Sequence, residues 1–493
     1  MGRPAAPPAT RLLSALVPLV ATLVAWWSLP DTYFFADDFV HLFDLVTLPL
    51  PRFLTQIWAG HLSLVPNTVF AGMYAAFGPD PRPWFWSVLL THALNVLLLH
   101  RVILSLTSDE LLACMGATVW GTTPALEGAL GWYSVYGQVL LTTLVCVVLW
   151  SLVGVIATGR TVPVTRAFAW GGLLAAGAAC FGTGLGIAAV FPVVLLAALE
   201  PRQRSVRAAT VVALTAATTF AIYAVLWNRT LDLEPRVREL MSSASILAAT
   251  PTVLALAAAL LGFSASTLFL GPLDLDAGYP DATTLGAAAL VVAIVIAGWL
   301  TADAPRRRRL LWLAVLVVAA SATIAAGRAT ILASWKVSIA RSAGWPRYHY
   351  LLLALVTALL CLALAALRAG GRAPRVLVTG GAAIWLAARL VLLVVRPHAI
   401  NHHEAERAET TRVVQMVRQA VDATPPGDTV TIQNRPFGPA RLGRLFPGLA
   451  GVFVITFPSN TVDGRPVRFV GGDADDALAR QRGGRIAALL PPP

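Results

Sequence analysis

A series of long apolar runs constrains this chain more than any other feature. Runs of about 20 residues can cross a bilayer as helices, and lipid leaves a spanning segment few alternatives to the α-helix. Hydrophobic residues make up 57% of the 493 residues and charged residues only 13%, with a mean hydropathy of +0.71. The sequence therefore predicts an all-α polytopic membrane protein and excludes a soluble globular protein.

The apolar runs predict about eleven transmembrane helices, with arginine-rich loops on the cytoplasmic side. The N-terminus is then cytoplasmic, and the end of the last span is extracytoplasmic. Residues 246–270 would begin and end on the same side, so we expect a re-entrant or broken helix there, interrupted near Pro251 and Gly262. The eleven spans are expected near residues 12–29, 84–104, 111–122, 135–156, 168–180, 185–199, 206–227, 285–300, 310–326, 350–367 and 376–395.

The formal net charge of +12 comes almost entirely from arginine, because Lys336 is the only lysine. Most of the excess lies in short loops between apolar runs, such as residues 306–309, so it indicates membrane topology and not nucleic-acid binding. The cysteines lie inside apolar runs, without CxxC spacing, and predict neither a disulfide framework nor a metal site. They are Cys114, Cys146, Cys180 and Cys361.

Two domains are expected. Residues 1–397 would form the transmembrane domain, with an external loop at 30–83, and residues 398–493 a small soluble α/β domain on the extracytoplasmic side. Helical spacing of valines predicts a helix in the second domain, and short β-branched runs predict strands. The helix is expected at 404–421 and the strands at 429–433, 451–457 and 467–470.

Two adjacent carboxylates, Asp37 and Asp38, follow the first span. A carboxylate held at the membrane surface can act as a general base at little cost, unlike one inside the bilayer. If a helix begins at Asp37, His41 lies one turn further on the same face. The structural alternative is that both acids stabilise the start of that helix. We expect Asp37 to be the base and Asp38 to orient the acceptor or hold the local structure, although the two roles can be exchanged.

A second group of candidate residues is cationic. The predicted external loop 328–347 carries four cations where the positive-inside tendency predicts few, and a phosphate-binding site explains this exception. Attraction to anionic lipid headgroups is the alternative. Glu127 precedes the fourth span, where it either caps a helix or contributes to a site. The cations are Arg328, Lys336, Arg341 and Arg347, and the last of these precedes Tyr348 and His349 at a helix start.

Three stretches resemble the GT-C superfamily of integral-membrane glycosyltransferases, near the protein O-mannosyltransferase and aminoarabinose transferase types. They are ADDF at residues 36–39, TPALEGALGWYSVYGQVLLTTL from Thr123, and RYHY at residues 347–350. Many relatives carry a charged pair between the fifth and sixth spans. This chain has residues 181–184, FGTG, at that hinge, so we expect no charged donor contact from it.

The resemblance implies transfer of a sugar, with inversion, from a polyprenyl-phosphate donor to an extracytoplasmic protein, lipid or envelope glycan, without a cofactor or metal. It also implies a bacterial inner membrane location. A lipid-linked glycan polymerase or ligase, and a transporter or flippase of a lipid-linked substrate, remain alternatives. Catalysis is assigned to Asp37 and Asp38, and substrate or donor binding to His41, Glu127, Lys336, Arg341, Arg347, Tyr348 and His349.

Overall fold

The computed structural model describes most of the predicted membrane domain and short parts of the C-terminal region. The predicted polytopic helical architecture is confirmed for these residues. The described residues are 7–34, 37–58, 60–78, 80–233, 249–270, 280–334 and 337–395, followed by 419, 423, 425, 430–433, 461–462 and 465–470.

Helices and short strands follow one another along the chain, and single 3₁₀ turns join several of the helices. The helices are α1 (Pro8–Ala25), α2 (Asp37–Thr47), α3 (Leu50–Thr55), α4 (Leu64–Phe77), α5 (Pro81–Thr107), α6 (Glu110–Thr122), α7 (Glu127–Leu130), α8 (Tyr136–Thr158), α9 (Val164–Ala178), α10 (Thr183–Ala198), α11 (Val206–Leu233), α12 (Thr250–Leu270), α13 (Ala282–Thr301), α14 (Ala304–Ser334), α15 (Ile339–Ala343), α16 (Tyr350–Ala369) and α17 (Arg372–Val395). The strands are β1 (Ile57–Trp58), β2 (His61–Leu62), β3 (Val430–Gln433), β4 (Thr461–Val462) and β5 (Arg465–Val470).

Nine helices of the described residues are long and apolar enough to cross a membrane. Eight of them match predicted spans, and the remaining three predicted spans form the shorter helices α6, α9 and α10. The ninth is α12. The chain is therefore an integral membrane protein whose bundle combines full-length and short helices.

Helix α12 corrects one expectation from the sequence. The predicted break near Pro251 and Gly262 is absent, because Thr250–Leu270 is one continuous helix. Pro251 lies in its first turn, where a backbone N–H has no partner within the helix, so proline removes no hydrogen bond there.

Helix α16 is the most buried of the candidate spans, with 89% of its apolar window inside the protein. It packs against helices from both halves of the chain, among them α5, α6, α13, α14 and α17. Its first residue, Tyr350, is fully buried, and Asn95 donates a 3.2 Å hydrogen bond to its hydroxyl. The turn immediately before α16 is therefore held in place by the centre of the bundle.

Arg389 is the main ionisable side chain inside a predicted span, and the structure accounts for it. It is buried on α17, and its Nε donates a 2.8 Å hydrogen bond to the Thr122 hydroxyl. Its Nη2 also donates to the Thr122 carbonyl at the end of α6. Carbonyls at a helix C-terminus lack partners within the helix and carry partial negative charge, so this contact joins α17 to α6.

In the C-terminal region, β3 pairs with β5 in parallel and β4 pairs with β5 antiparallel. The predicted strands 429–433 and 467–470 are confirmed as Val430–Gln433 and Arg465–Val470. The predicted strand 451–457, the boundary at 397–398 and nearly all of the predicted helix 404–421 lie outside the described residues.

Close packing of α13 against α16 leads to a test of the bundle. A Cβ at Gly298 would lie 2.7 Å from the Ala363 backbone, whereas a Cβ at Gly286 on the same helix would meet nothing within 4 Å. Gly298→Leu should therefore destabilise the protein by about 1–3 kcal/mol, as overpacking does. Gly286→Leu should not. Thermal unfolding in one detergent measures both, and equal stability of the two variants would contradict this packing.

Candidate functional site

The Asp38 side chain is buried between the first loop and the segment that precedes α8. The residue is 0% exposed and lies in the first turn of α2. Its carboxylate accepts hydrogen bonds from the Ser134 N–H at 2.6 Å, the Tyr133 N–H at 3.4 Å and the Ser134 hydroxyl. These N–H groups open the 3₁₀ turn Tyr133–Val135, where they have no partner within the turn. The contacts assign Asp38 a local structural role, one of the alternatives that the sequence left open.

Asp37 is the first residue of α2 and is only half-buried. Its carboxylate lies within electrostatic range of the Arg328 guanidinium on α14. His41, one turn further along, is buried and packs against the Phe70 ring with a centroid distance of 5.5 Å. The two acids thus face different surroundings, with Asp37 beside a cation and Asp38 among backbone donors.

An aromatic cluster packs beside the backbone that binds Asp38. The rings of Phe70, Trp84 and Tyr133 meet edge to face, with centroids 4.8–5.1 Å apart. Edge-to-face contacts between rings fix their relative orientation. Because the Tyr133 ring belongs to this cluster, the backbone N–H groups that bind Asp38 are fixed as well.

Arg347 lies in the 3₁₀ turn that precedes α16, and three aromatic rings surround its side chain. Its guanidinium is 4.5 Å from the Trp345 ring centroid and 5.2 Å from those of Trp132 and Tyr348. Aromatic faces attract a cation without occupying its N–H groups with acceptor oxygens. The buried Arg347 Nε has no hydrogen-bond acceptor among the described residues. The site thus holds a guanidinium in place with a donor left for another acceptor.

The Arg328 guanidinium also contacts Tyr348, at 5.7 Å from the centroid of its ring. Its Nη2 is 2.6 Å from His61 Nε2, and His61 Nδ1 accepts the Gly182 N–H at 3.1 Å. Phe181 stacks on the His61 ring at 3.9 Å. The hinge between α9 and α10, from which we expected no charged contact, therefore reaches the site through a ring and a backbone N–H.

His61 is neutral in this arrangement. Burial lowers its pKa well below the ordinary value, and the positive charges of Arg328 and Arg347 lower it further. A neutral imidazole has one acceptor nitrogen, and the Gly182 N–H occupies Nδ1. Arg328 carries only N–H donors, and its Nη2 contacts Nε2 at 2.6 Å, so both ring nitrogens of His61 face donors of the protein. The His61 ring therefore positions the Arg328 guanidinium without neutralising its charge.

The structure gives the other predicted site residues separate positions. His349 is buried, with Nδ1 2.8 Å from the Ser264 hydroxyl and Nε2 2.6 Å from the Ala343 carbonyl, and burial lowers its pKa to about 4. Both ring nitrogens of His349 thus contact protein groups, and its binding role stays a prediction. Arg341 is exposed in the last turn of α15. Lys336 lies outside the described residues.

Glu127 opens α7, which packs against the turn that carries Arg347. A Cβ at the next residue, Gly128, would lie 2.7 Å from the Arg347 backbone nitrogen. Gln138 on α8 also donates a hydrogen bond to the Arg347 carbonyl. Two segments of the stretch that begins at Thr123 therefore fix the backbone of Arg347.

Several residues of the site were not assigned to it from the sequence. A lone histidine such as His61 is typical of a structural residue, and the sequence presents Arg328 only as one of four cations in the predicted external loop. Ser134 and Trp132 lie in the stretch that begins at Thr123, but nothing in the sequence assigns either of them a role. Trp345 and Gly182 have no signal beyond their residue types. Among the described residues, no three His, Cys, Asp or Glu side chains are grouped closely enough to hold a metal ion.

Comparisons with known proteins give distant matches among solved structures only. No protein-family model and no curated protein matches the chain. A search of solved structures finds an oligosaccharyltransferase from Archaeoglobus fulgidus, crystallised with an acceptor peptide tethered through a disulfide bond. The match has 12% identity and a TM-score of 0.41, and it covers 93% of this chain and 63% of that one. The chain thus spans less than two thirds of the length of its match.

The hydrogen bonds of the Asp38 carboxylate can be tested by measuring the stability of variants. Asp38→Ala leaves the Ser134 and Tyr133 N–H groups buried without an acceptor, which should cost about 2–5 kcal/mol. Asp31 provides the matched control, because its carboxylate is 61% exposed and makes only a 3.6 Å surface ion pair with Arg82. Asp31→Ala should leave the thermal midpoint almost unchanged. If Asp38→Ala is as stable as Asp31→Ala, the carboxylate does not hold this region together.

Proposed function

We propose that this integral membrane protein is a glycosyltransferase of the GT-C type that transfers a sugar from a polyprenyl-phosphate donor to an extracytoplasmic acceptor. One observation carries the proposal: a continuous series of contacts links the acidic pair to two fixed guanidinium groups. Asp38 binds the turn that follows Trp132, Trp132 lies against Arg347, and Arg347 and Arg328 both contact Tyr348. A carboxylate and a phosphate-binding pair thus share one side of the bundle.

Asp37 is the general base in this mechanism. Its half-buried position leaves it accessible to an acceptor, whereas the Asp38 oxygens are already engaged by Ser134 and Tyr133. The acceptor hydroxyl gives its proton to Asp37 as its oxygen attacks the anomeric carbon. A positioned base of this kind contributes roughly a hundredfold to ten-thousandfold to the rate.

The leaving group is the lipid phosphate. As the new carbon–oxygen bond forms, the bond from the anomeric carbon to the phosphate oxygen breaks, and the electron pair stays on the phosphate. Fixed cations stabilise such developing charge most effectively when they need not reorganise. Arg347, held by aromatic rings, and Arg328, held by the His61 ring, meet that requirement. A single displacement inverts the configuration at the anomeric carbon.

Two alternatives use the same residues differently. A lipid-linked glycan polymerase or ligase would share the base and the phosphate site and differ only in the donor's glycan. A transporter or flippase would need ionisable side chains along a path through the bilayer. Arg389, the main interior candidate, is bound to the end of α6 through Thr122, and this disfavours transport.

The role of Asp37 predicts a loss of rate without a loss of fold. Asp37→Asn should lower sugar transfer at least about a hundredfold, because the amide cannot accept the acceptor proton. Asp31→Asn, in the same loop, should keep wild-type activity. Turnover of a polyprenyl-phosphate sugar by purified protein in lipid measures both, alongside thermal stability. Full activity of Asp37→Asn would remove this residue as the base.

The role of Arg347 predicts weaker donor binding and slower turnover. Arg347→Gln keeps a planar polar group but removes the charge that meets the phosphate, so the half-saturating donor concentration should rise about tenfold or more. Arg52→Gln is the control, because Arg52 is an exposed arginine of α3 in the predicted external loop. Donor titrations that give the same values for both variants would assign Arg347 to topology alone.

A further inference from the structure

A cavity lies in the bundle, away from the candidate site. Its volume is about 330 Å³, and its walls come from α6, α12, α13, α16 and α17. Thr357 and Cys361 line it on α16, and Leu377, Gly381 and Trp385 line it on α17. Because α16 begins beside Arg347, residues 357–367 place this cavity toward the opposite end of the bundle.

The wall of the cavity suits a hydrocarbon chain. The Thr357 hydroxyl donates to the Leu353 carbonyl at 2.7 Å, and Cys361 Sγ contacts the Leu112 carbonyl at 3.5 Å. These two polar groups of the wall are thus engaged within the protein, and a water molecule needs two to four polar partners to be held. The cavity opens as a groove to the lipid-facing surface of α17, where Leu377 is 74% exposed. We refer to the cavity and its opening as the groove.

Its length matches one leaflet of a bilayer. From Leu377 to Trp385 the cavity follows eight residues of α17, about 12 Å of helix axis at 1.5 Å per residue. One leaflet contributes half of a hydrocarbon core that is about 30 Å thick. The groove therefore accommodates most of one acyl chain that enters from the end of the bundle where α17 begins.

Cationic side chains stand at that end. Arg372 and Arg375 are exposed in the first turn of α17, and neither pairs with a carboxylate in the part of the chain that the structure describes. Neighbouring arginines are engaged otherwise: Arg368 pairs with Asp109, and Arg307 donates to the Trp299 and Leu300 carbonyls at 3.0 Å. Arg375 is three residues from Val378 in the groove wall, so its charge lies about one helical turn from the groove.

We infer that this groove binds an anionic phospholipid, with one acyl chain between α6, α13, α16 and α17 and the headgroup phosphate at Arg372 and Arg375. The lipid belongs to the leaflet opposite the candidate site and is separate from the sugar donor. Basic side chains near a membrane surface favour anionic over zwitterionic headgroups. The groove supplies the shape and the arginine pair supplies the selectivity.

Native mass spectrometry of the full chain, titrated with phosphatidylglycerol or phosphatidylcholine, tests the groove. Gly381→Phe fills the cavity and should abolish the tightly bound phosphatidylglycerol. Gly380→Phe is the matched control, because Gly380 has equally open surroundings but does not line the cavity. Equal lipid binding by the two variants would overturn the assignment, as would displacement of phosphatidylglycerol by polyprenyl phosphate.

The headgroup contact is tested by charge. The double variant Arg372→Gln, Arg375→Gln should bind phosphatidylglycerol about thirtyfold more weakly, the factor expected from two arginines near an anionic headgroup. Removing the two exposed arginines Arg160 and Arg166 in the same way should not change binding. Equal affinity of the wild type for phosphatidylglycerol and phosphatidylcholine would contradict the proposal.

A third measurement needs no change in the groove's volume. Phosphatidylglycerol with brominated acyl chains should quench the fluorescence of Trp385, measured as the difference between the wild type and Trp385→Phe. Brominated phosphatidylcholine at the same concentration should quench this component less. If Gly381→Phe does not fold, this measurement still tests whether lipid occupies the groove. The absence of Trp385 quenching would refute occupancy of the groove.

Discussion

The hydrogen bonds between the Asp38 carboxylate and the backbone of Tyr133 and Ser134 are the contact on which the site depends. They join the loop after the first span to the segment before α8, two parts of the chain that the bundle alone need not align. Burial of a carboxylate without hydrogen-bond donors costs free energy. Asp38 can therefore be buried here only when the turn Tyr133–Val135 presents its N–H groups. Once these hydrogen bonds form, Asp37 and Trp132 have defined positions beside the cations.

The cations are held by a different interaction. Arg347 contacts aromatic faces and Arg328 faces a neutral imidazole, so neither guanidinium is neutralised by a carboxylate at close range among the described salt bridges. This differs from Arg368 near the opposite end, which pairs with Asp109. Positive charge kept in place without a closely bound counter-ion is available to an anionic ligand. Arg372 and Arg375, beside the groove, likewise pair with no carboxylate among the described residues, whereas Arg307 donates to carbonyls at a helix end.

The sequence predicted the helices and the three motifs, because apolar length and short charged stretches are local properties. Helical phase favoured Asp37 over Asp38, and the structure adds a separate reason, since Asp38 is already engaged. The contact of Arg328 with His61 could not be predicted, because it joins residues 267 positions apart and depends on how α14 packs. For the same reason, the hinge at Gly182 gave no signal: its contribution is a backbone N–H, which every residue except proline carries. His349 shows the reverse case: it lies within a motif, and both of its ring nitrogens contact protein groups.

The central claim is that a lipid phosphate binds between Arg347 and Arg328, on the side of the bundle that carries Asp37. A structure of the protein determined with bound polyprenyl phosphate tests this most directly. We expect phosphate oxygens within hydrogen-bond distance of Arg347 Nε and of the Arg328 guanidinium, with the Asp37 carboxylate facing the position of the anomeric carbon. Phosphate bound elsewhere, for example at Arg372 and Arg375, with the site between Arg347 and Arg328 empty, would contradict it.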